Sequence, residues 1–131
     1  MYIQRYLIFL NENNNYEETS WTKEIDCKEK TITIHEIQDF LKNEKIVNIK
    51  VDDIKSKCIH LNKTDKKTLI RSQKSDLNYP IIICKGLDGK WGMILDGHHR
   101  LKKAIDNNVE TIKAKILNLK NSPDLYKKMF G

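Results

Sequence analysis

The five consecutive residues Asp96, Gly97, His98, His99 and Arg100 are the part of this chain best suited to chemistry. Asp96 and the two histidines can exchange protons, and an imidazole does so near neutral pH. Arg100 adds a planar guanidinium whose N–H groups match the oxygens of a phosphate or a carboxylate. Gly97 lets a ligand approach the backbone closely. These residue types predict an anion site, with Asp96, His98 and His99 as candidate catalytic residues.

The surrounding sequence predicts a strand, a tight turn and a helix that would position this site. The apolar run 91–95 stops at Asp96, and apolar residues then recur at helical spacing from Leu101 onwards, so Asp96 or Gly97 can serve as the helix N-cap. The first free N–H groups of the helix then fall at 97–99, where the helix dipole favours an anion. We therefore expect phosphate to bind to the backbone of 97–99 and to Arg100.

A plain structural role is the alternative for this segment, because most DG turns that enter a helix bind no ligand. As a ligand-binding group, Arg100 is expected to be largely solvated in the empty protein. In the alternative it packs on the surface or pairs with a carboxylate such as Asp96. On a helix that begins near His98, the side chain of His99 points about 100° away from that of His98. The two imidazoles are therefore poorly placed to bind one metal ion.

Metal ligation is not predicted elsewhere either. Asp52 and Asp53 invite a metal interpretation, but consecutive acids at a helix start more often complement the helix dipole. Cys27, Cys58 and Cys84 are odd in number and form no CxxC pair, so neither a zinc site nor a disulfide framework is indicated. Cys84 is expected to be a small buried hydrophobe, and a reactive thiol at Cys58 is a minor alternative.

Composition predicts a single globular domain over residues 1–131. Hydrophobic residues make up 39% of the chain and charged residues 32%, with a net charge of +6. The positive charge is mostly lysine dispersed among acids, so DNA binding is expected to be weak at most. No apolar run approaches the roughly 18 to 20 residues that span a membrane. The N-terminus lacks the features of a signal peptide, so we expect a cytoplasmic protein without membrane contact.

Periodicity predicts an α+β fold with a small mixed sheet and packed helices. Strands are expected at 2–10, 21–27, 46–51, 81–84, 91–95 and 111–117, with a polar loop over 11–20. Helices are expected at 34–43, at a short turn from 52, at 64–75, after the corner, and at 122–130. In the strand 111–117, Lys113 and Lys115 should face solvent. Thr33 and Glu36 have the spacing of a capping box, and Ser122 is the expected N-cap of the last helix.

Residues 79–117, YPIIICKGLDGKWGMILDGHHRLKKAIDNNVETIKAKIL, resemble the ParB/sulfiredoxin superfamily. Members carry an apolar strand after a proline, a DG-x-H-R corner, a helix and a closing strand. Residues 33–54 are more weakly similar to the lead-in of small ParB-like proteins. The resemblance implies a ParB/sulfiredoxin-like core over 31–117, flanked by an N-terminal hairpin extension at 1–30 and a C-terminal helix at 118–131.

The resemblance implies a nucleotide whose phosphates bind at the corner. The nucleotide is ATP in sulfiredoxins, CTP in partition proteins, and ADP or ATP in free-serine kinases; here it would be one of these, with or without Mg²⁺. Related proteins often place a basic residue in the helix before the proline, which implies Arg71 as a second phosphate contact. Sulfiredoxins carry a catalytic cysteine where this chain has His98. Free-serine kinases carry an essential glutamate at a position that aligns near Cys58 of this chain.

Three classes of function follow from these expectations. The first is an enzyme that acts on nucleotide phosphates by phosphotransfer or hydrolysis. The second is a ParB-like nuclease or DNA-binding protein, although no helix-turn-helix follows the core. The third is a non-catalytic accessory protein of a virus or mobile element that binds a host partner through the N-terminal hairpin or the C-terminal helix.

Overall fold

The N-terminal part of the chain folds into an antiparallel sheet of three strands. The computed structural model describes residues 2–10, 15–58 and 74–131. The strands, in the order in which they lie in the sheet, are β1 (Tyr2–Leu10), β2 (Asn15–Ile25) and β3 (Lys28–Thr33). Asp26 and Cys27 have φ values of 53° and 63°. Positive φ at both central residues is what a two-residue type I′ hairpin requires, so β2 turns directly into β3.

The sequence prediction was wrong for part of this sheet. The loop expected over 11–20 is a strand from Asn15 onwards, and β3 was not predicted at all. Residues 15–23 pair along their whole length with β1. A polar stretch can form a strand when a neighbouring strand satisfies its backbone hydrogen bonds, and composition alone does not report such a neighbour.

Four short elements follow this sheet along the chain, and the strand among them is the first strand of the second sheet. They are α1 (Ile34–Phe40), β4 (Val47–Lys50), α2 (Val51–Ile54) and one 3₁₀ turn (Lys55–Lys57). The hydroxyl of Thr33 accepts a hydrogen bond from the backbone N–H of Glu36 at 3.3 Å, which confirms the predicted N-cap. The helix ends three residues earlier than expected.

The second sheet has four strands and is mixed. Its remaining strands are β5 (Ile81–Lys85), β6 (Trp91–Asp96) and β7 (Thr111–Asn118), and the order across the sheet is β4-β7-β5-β6. Strands β5 and β7 are parallel, whereas the other neighbours are antiparallel. Helix α3 (His98–Asp106) connects β6 to β7, and α4 (Asp124–Phe130) ends the chain. The α+β class with a mixed sheet and packed helices is confirmed.

Strand β5 contributes side chains to both halves of the hydrophobic core. Ile81 and Ile83 pack with residues of α2 and α3 on one face of the sheet. Ile82 and Cys84 pack on the other face with residues of α1, α4 and the N-terminal sheet. Each fully buried isoleucine contributes about 1.5–3 kcal/mol to folding. The four-stranded sheet is therefore covered on both faces.

Strand β7 departs from the prediction of one solvated face. Lys113 is exposed as expected, but Lys115 is half-buried. The Nζ atom of Lys115 donates hydrogen bonds to the carbonyl oxygens of Leu41 and Lys42, at 3.0 and 3.3 Å, where α1 ends. A lysine ammonium is stabilised at the negative end of a helix dipole. The end of α1 therefore covers β7 at Lys115, and this side of the strand is not solvated.

The C-terminal helix packs on the core, as its apolar stripe predicted. The rings of Trp21 and Phe130 meet edge to face, with centroids 5.4 Å apart, and Tyr126 contacts Phe40 in the same manner at 5.3 Å. Ser122 does not cap this helix, because its hydroxyl donates to the carbonyl of Asn118 at 2.7 Å. In the described part of the chain, no helix is both long and apolar enough to cross a membrane.

Candidate functional site

The corner between β6 and α3 has the predicted local form. Strand β6 ends at Asp96, Gly97 occupies the N-cap position with φ of 99°, and α3 begins at His98. Asp96 does not cap the helix, since its carboxylate is directed to Arg100. The corner is therefore a strand, a left-handed glycine and a helix of nine residues.

Gly97 is required at this corner by packing as well as by its φ value. A β-carbon at Gly97 would lie 2.5 Å from Cγ2 of Ile81 and 3.0 Å from Nη2 of Arg100. Distances this short exclude a side chain unless the neighbours move. The backbone of Gly97 therefore lies close to Ile81 in the core and to the guanidinium of Arg100.

Arg100 is bound within the protein and is not largely solvated, so that expectation is wrong. Its Nη2 atom donates to the carbonyl oxygen of Pro80 and to Oδ2 of Asp96, both at 3.2 Å. The side chain is 21% exposed. Its Nε atom is buried and has no hydrogen-bond acceptor among the residues that the structure describes. The carboxylate and the carbonyl orient the guanidinium without using all its N–H groups.

The guanidinium lies in the wall of a cleft of about 260 Å³. The cleft runs between α1 and the start of α3. Its described lining consists of Gln38, Leu41, Tyr79, Pro80, Ile82, Asp96, Arg100 and Lys115. Arg100 and Lys115 give this lining two cations against the single carboxylate of Asp96. The charge balance of the cleft favours an anionic ligand.

The two histidines are half-buried at the start of α3, outside the set of described residues that line this cleft. The Nδ1 atom of His98 is shielded from solvent. The carbonyl of His98 accepts a hydrogen bond from the thiol of Cys58 at 3.6 Å. The tertiary structure thus brings Cys58 to the first residue of α3, 40 positions along the chain.

A larger cleft of about 380 Å³ lies at the opposite end of α3. Its charged residues include Asp52 and Lys55, which pair at 3.4 Å with side chains 87% and 57% exposed. Asn108 and Glu110 complete its polar lining. An exposed pair of this kind is largely screened by water, and no buried polar group points into the cleft from its described lining. Its larger volume alone does not make this cleft a better candidate ligand site than the cleft that contains Arg100.

Two further sequence predictions concern Arg71 as a phosphate contact and the lack of a protein metal site. Arg71, together with most of the helix expected over 64–75, lies outside the described residues. Among the side chains that the structure describes, those of residues 19–58 and 74–131, no group of three or more His, Cys, Asp and Glu comes together to hold a metal ion. A nucleotide-bound Mg²⁺ needs only one or two protein carboxylates, and Asp96 is the carboxylate in the cleft lining.

Of the described lining residues, the sequence predicted only Asp96 and Arg100 as site residues. The six that it missed are Gln38, Leu41, Tyr79, Pro80, Ile82 and Lys115. Pro80 directly precedes the apolar strand β5, but nothing in its residue type predicts that its carbonyl accepts a hydrogen bond from Arg100. Lys115 has the periodicity of a solvated residue. Both contacts join parts of the chain that are distant in sequence.

Comparison of the whole chain with protein-family models, with curated proteins and with solved structures finds no match in any of the three.

Proposed function

We propose that this protein is a nucleotide-binding domain of the ParB/sulfiredoxin type, and that its cleft binds the phosphates of ATP, ADP or CTP. The observation that carries the proposal is the position of Arg100. Its guanidinium is oriented by Asp96 and Pro80 in the wall of a cleft, at the start of a helix. The DGHHR segment and its flanking strand and helix support the same assignment.

Each group at the corner has a defined part in phosphate binding. The helix dipole and the first N–H groups of α3 favour an anion at its N-terminus. Arg100 supplies a guanidinium that can contact two phosphate oxygens at once. Its Nη2 is occupied, so the ligand would contact the remaining N–H groups or displace Asp96. A Mg²⁺ ion carried by the nucleotide would offset the repulsion between phosphate and the Asp96 carboxylate.

Catalysis on the bound phosphates is the enzymatic form of this proposal. Asp96, His98 and His99 are the groups at the corner that can accept or donate a proton. Turnover should then change with pH, because an imidazole acts as a general base only when neutral and as a general acid only when protonated. A rate that stays flat from about pH 5.5 to 8.5 would remove both histidines from the chemistry.

The test is a thermal-shift titration of the full chain with ATP, ADP, CTP and inorganic phosphate, each with and without Mg²⁺. A ligand at 100 times its Kd stabilises the folded protein by about 2.7 kcal/mol, which gives a measurable shift. Arg100→Ala should remove most of that shift. Lys90→Ala is the matched control, because it removes one positive charge from an exposed turn outside the described lining of the cleft.

Two results would contradict the proposal. One is the absence of any shift with every nucleotide in the unsubstituted protein. The other is an equal loss of shift in Lys90→Ala and Arg100→Ala, since that would attribute binding to net charge and not to the cleft. Hydrolysis is followed separately, as release of inorganic phosphate from the same nucleotides.

A further inference from the structure

Tyr79 is the most exposed large hydrophobic residue within residues 19–58 and 74–131, the ranges whose side chains the structure describes. It is 65% exposed, compared with 51% for Ile46 and 50% for Leu87. Tyr79 also lines the cleft that contains Arg100. Its ring therefore offers an aromatic surface to solvent at the wall of a charged cleft.

The backbone holds Tyr79 in place even though its ring is exposed. The N–H of Tyr79 donates to the carbonyl of Asp76 at 3.2 Å. The N–H of Asn78 donates to the Oδ1 atom of Asp76 at 2.9 Å, which closes an Asx turn. Pro80 further restricts the backbone of the residue before it. The ring thus projects from a fixed turn, and its exposure means that it contributes little to folding.

The ring and the guanidinium belong to one continuous wall of the cleft. Pro80, which follows Tyr79 directly, is the residue whose carbonyl accepts the hydrogen bond from Arg100. Tyr79 and Arg100 are thus linked through Pro80 and line the same cleft, which presents an aromatic residue and a guanidinium to one ligand. A molecule with a planar ring at one end and phosphate at the other matches this arrangement.

The size of the cleft agrees with a ligand that is only partly enclosed. Pockets that bury most of a small-molecule ligand measure about 300–1,000 Å³. The cleft here has a volume of about 260 Å³. A cleft of this size is too small to enclose a whole nucleotide, so phosphates that occupy it would leave the base at the rim, where Tyr79 lies exposed. Aromatic side chains bind nucleobases by stacking, with little dependence on base identity.

We propose that Tyr79 is the base-stacking residue of this site, so that its ligand is a nucleotide and not a base-free phosphate. This inference rests on the proposed function and adds the residue that distinguishes the two classes of ligand. Stacking on one aromatic ring corresponds to about 5- to 150-fold in affinity.

The test compares ATP and CTP with tripolyphosphate, which carries the same phosphates without ribose or base. Binding is measured by calorimetry for the unsubstituted chain, Tyr79→Ala, Tyr79→Phe and Leu87→Ala. Tyr79→Ala should weaken both nucleotides by about 5- to 150-fold and leave tripolyphosphate unchanged. Tyr79→Phe should retain nucleotide affinity, because phenylalanine keeps the ring. Leu87→Ala is the matched control for loss of an exposed apolar side chain.

Three other outcomes would each overturn the inference in a recognisable way. Equal affinity for nucleotides and tripolyphosphate, unchanged in Tyr79→Ala, would leave a phosphate site without a base-stacking residue. Weakening of all three ligands by the same factor in Tyr79→Ala would make the role of Tyr79 structural. If neither nucleotide nor tripolyphosphate binds the unsubstituted chain, the proposed function itself fails and the inference fails with it.

Discussion

A β-carbon added to Gly97 would lie 2.5 Å from the Cγ2 atom of Ile81, the first residue of the central strand β5. The φ value of Gly97 is 99°, a conformation that residues with a side chain rarely adopt. Two independent effects therefore require glycine at the position where the candidate site begins. One is backbone strain and the other is overlap with the core.

Gly97→Ala should lower the free energy of unfolding by about 2–5 kcal/mol, from strain at positive φ together with overpacking against Ile81. Gly89→Ala is the matched control. Gly89 also has a positive φ, of 79°, but nothing lies within 4 Å of an added β-carbon there. Gly89→Ala should therefore lower the free energy of unfolding by only about 1–2 kcal/mol, from backbone strain alone. Urea denaturation measures both, and equal losses would show that contact with Ile81 has no energetic role.

Arg100→Ala should destabilise the unliganded protein by about 1–3 kcal/mol, because two acceptors lose their hydrogen-bond donor. Arg100→Lys should recover part of this stability, since an ammonium can reach one acceptor but lacks the planar fork. The measurement is the free energy of unfolding without ligand. A melting temperature for Arg100→Ala equal to that of the unsubstituted protein would contradict the bound geometry of the guanidinium.

Cys84 makes stability depend on pH in the alkaline range. Burial raises the pKa of its thiol from 9.0 to about 11. Well below pH 9 the Cys84 thiol is protonated in both the folded and the unfolded state and contributes no pH dependence to stability. Between about pH 9 and 11 the unfolded state loses its proton first, so folding stability falls by about 1.4 kcal/mol per pH unit from this group.

Cys84→Val removes this titration while keeping an apolar side chain of similar size in β5. The difference in unfolding free energy between the two proteins should therefore change between about pH 9 and 11 and stay constant well below pH 9. Lysines titrate in the same range, and the comparison cancels them. A difference that is constant up to pH 11 would show that the thiol does not remain protonated in the folded state.

DNA binding, if the dispersed lysines support it, should be weak and should disappear with salt. Six or more phosphate contacts would lower the affinity by roughly a thousandfold or more between 50 and 200 mM salt. Fluorescence anisotropy with a labelled duplex measures this slope. Tight, sequence-independent binding that survives 200 mM salt would favour the DNA-binding class over the nucleotide-binding one.

The local features of the candidate site could be read from the sequence. The end of β6, the glycine turn and the start of α3 follow from a short apolar run, a DG pair and helical spacing. The N-cap of α1 follows in the same way from Thr33 and Glu36. These features depend on interactions within about one helical turn, and neighbouring residue types report such interactions directly.

The tertiary structure decided which groups surround that corner. The carbonyl of Pro80 binds a guanidinium 20 residues away, and Lys115 reaches the end of α1 across 74 residues. The polar strand β2 is a strand because β1 lies beside it. The sequence alone determined the strand end, the glycine turn and the helix start at the corner, since these depend on residues within about one helical turn. The cleft depends on backbone carbonyls and polar pairings brought together by folding, and these have no periodic signature in the chain.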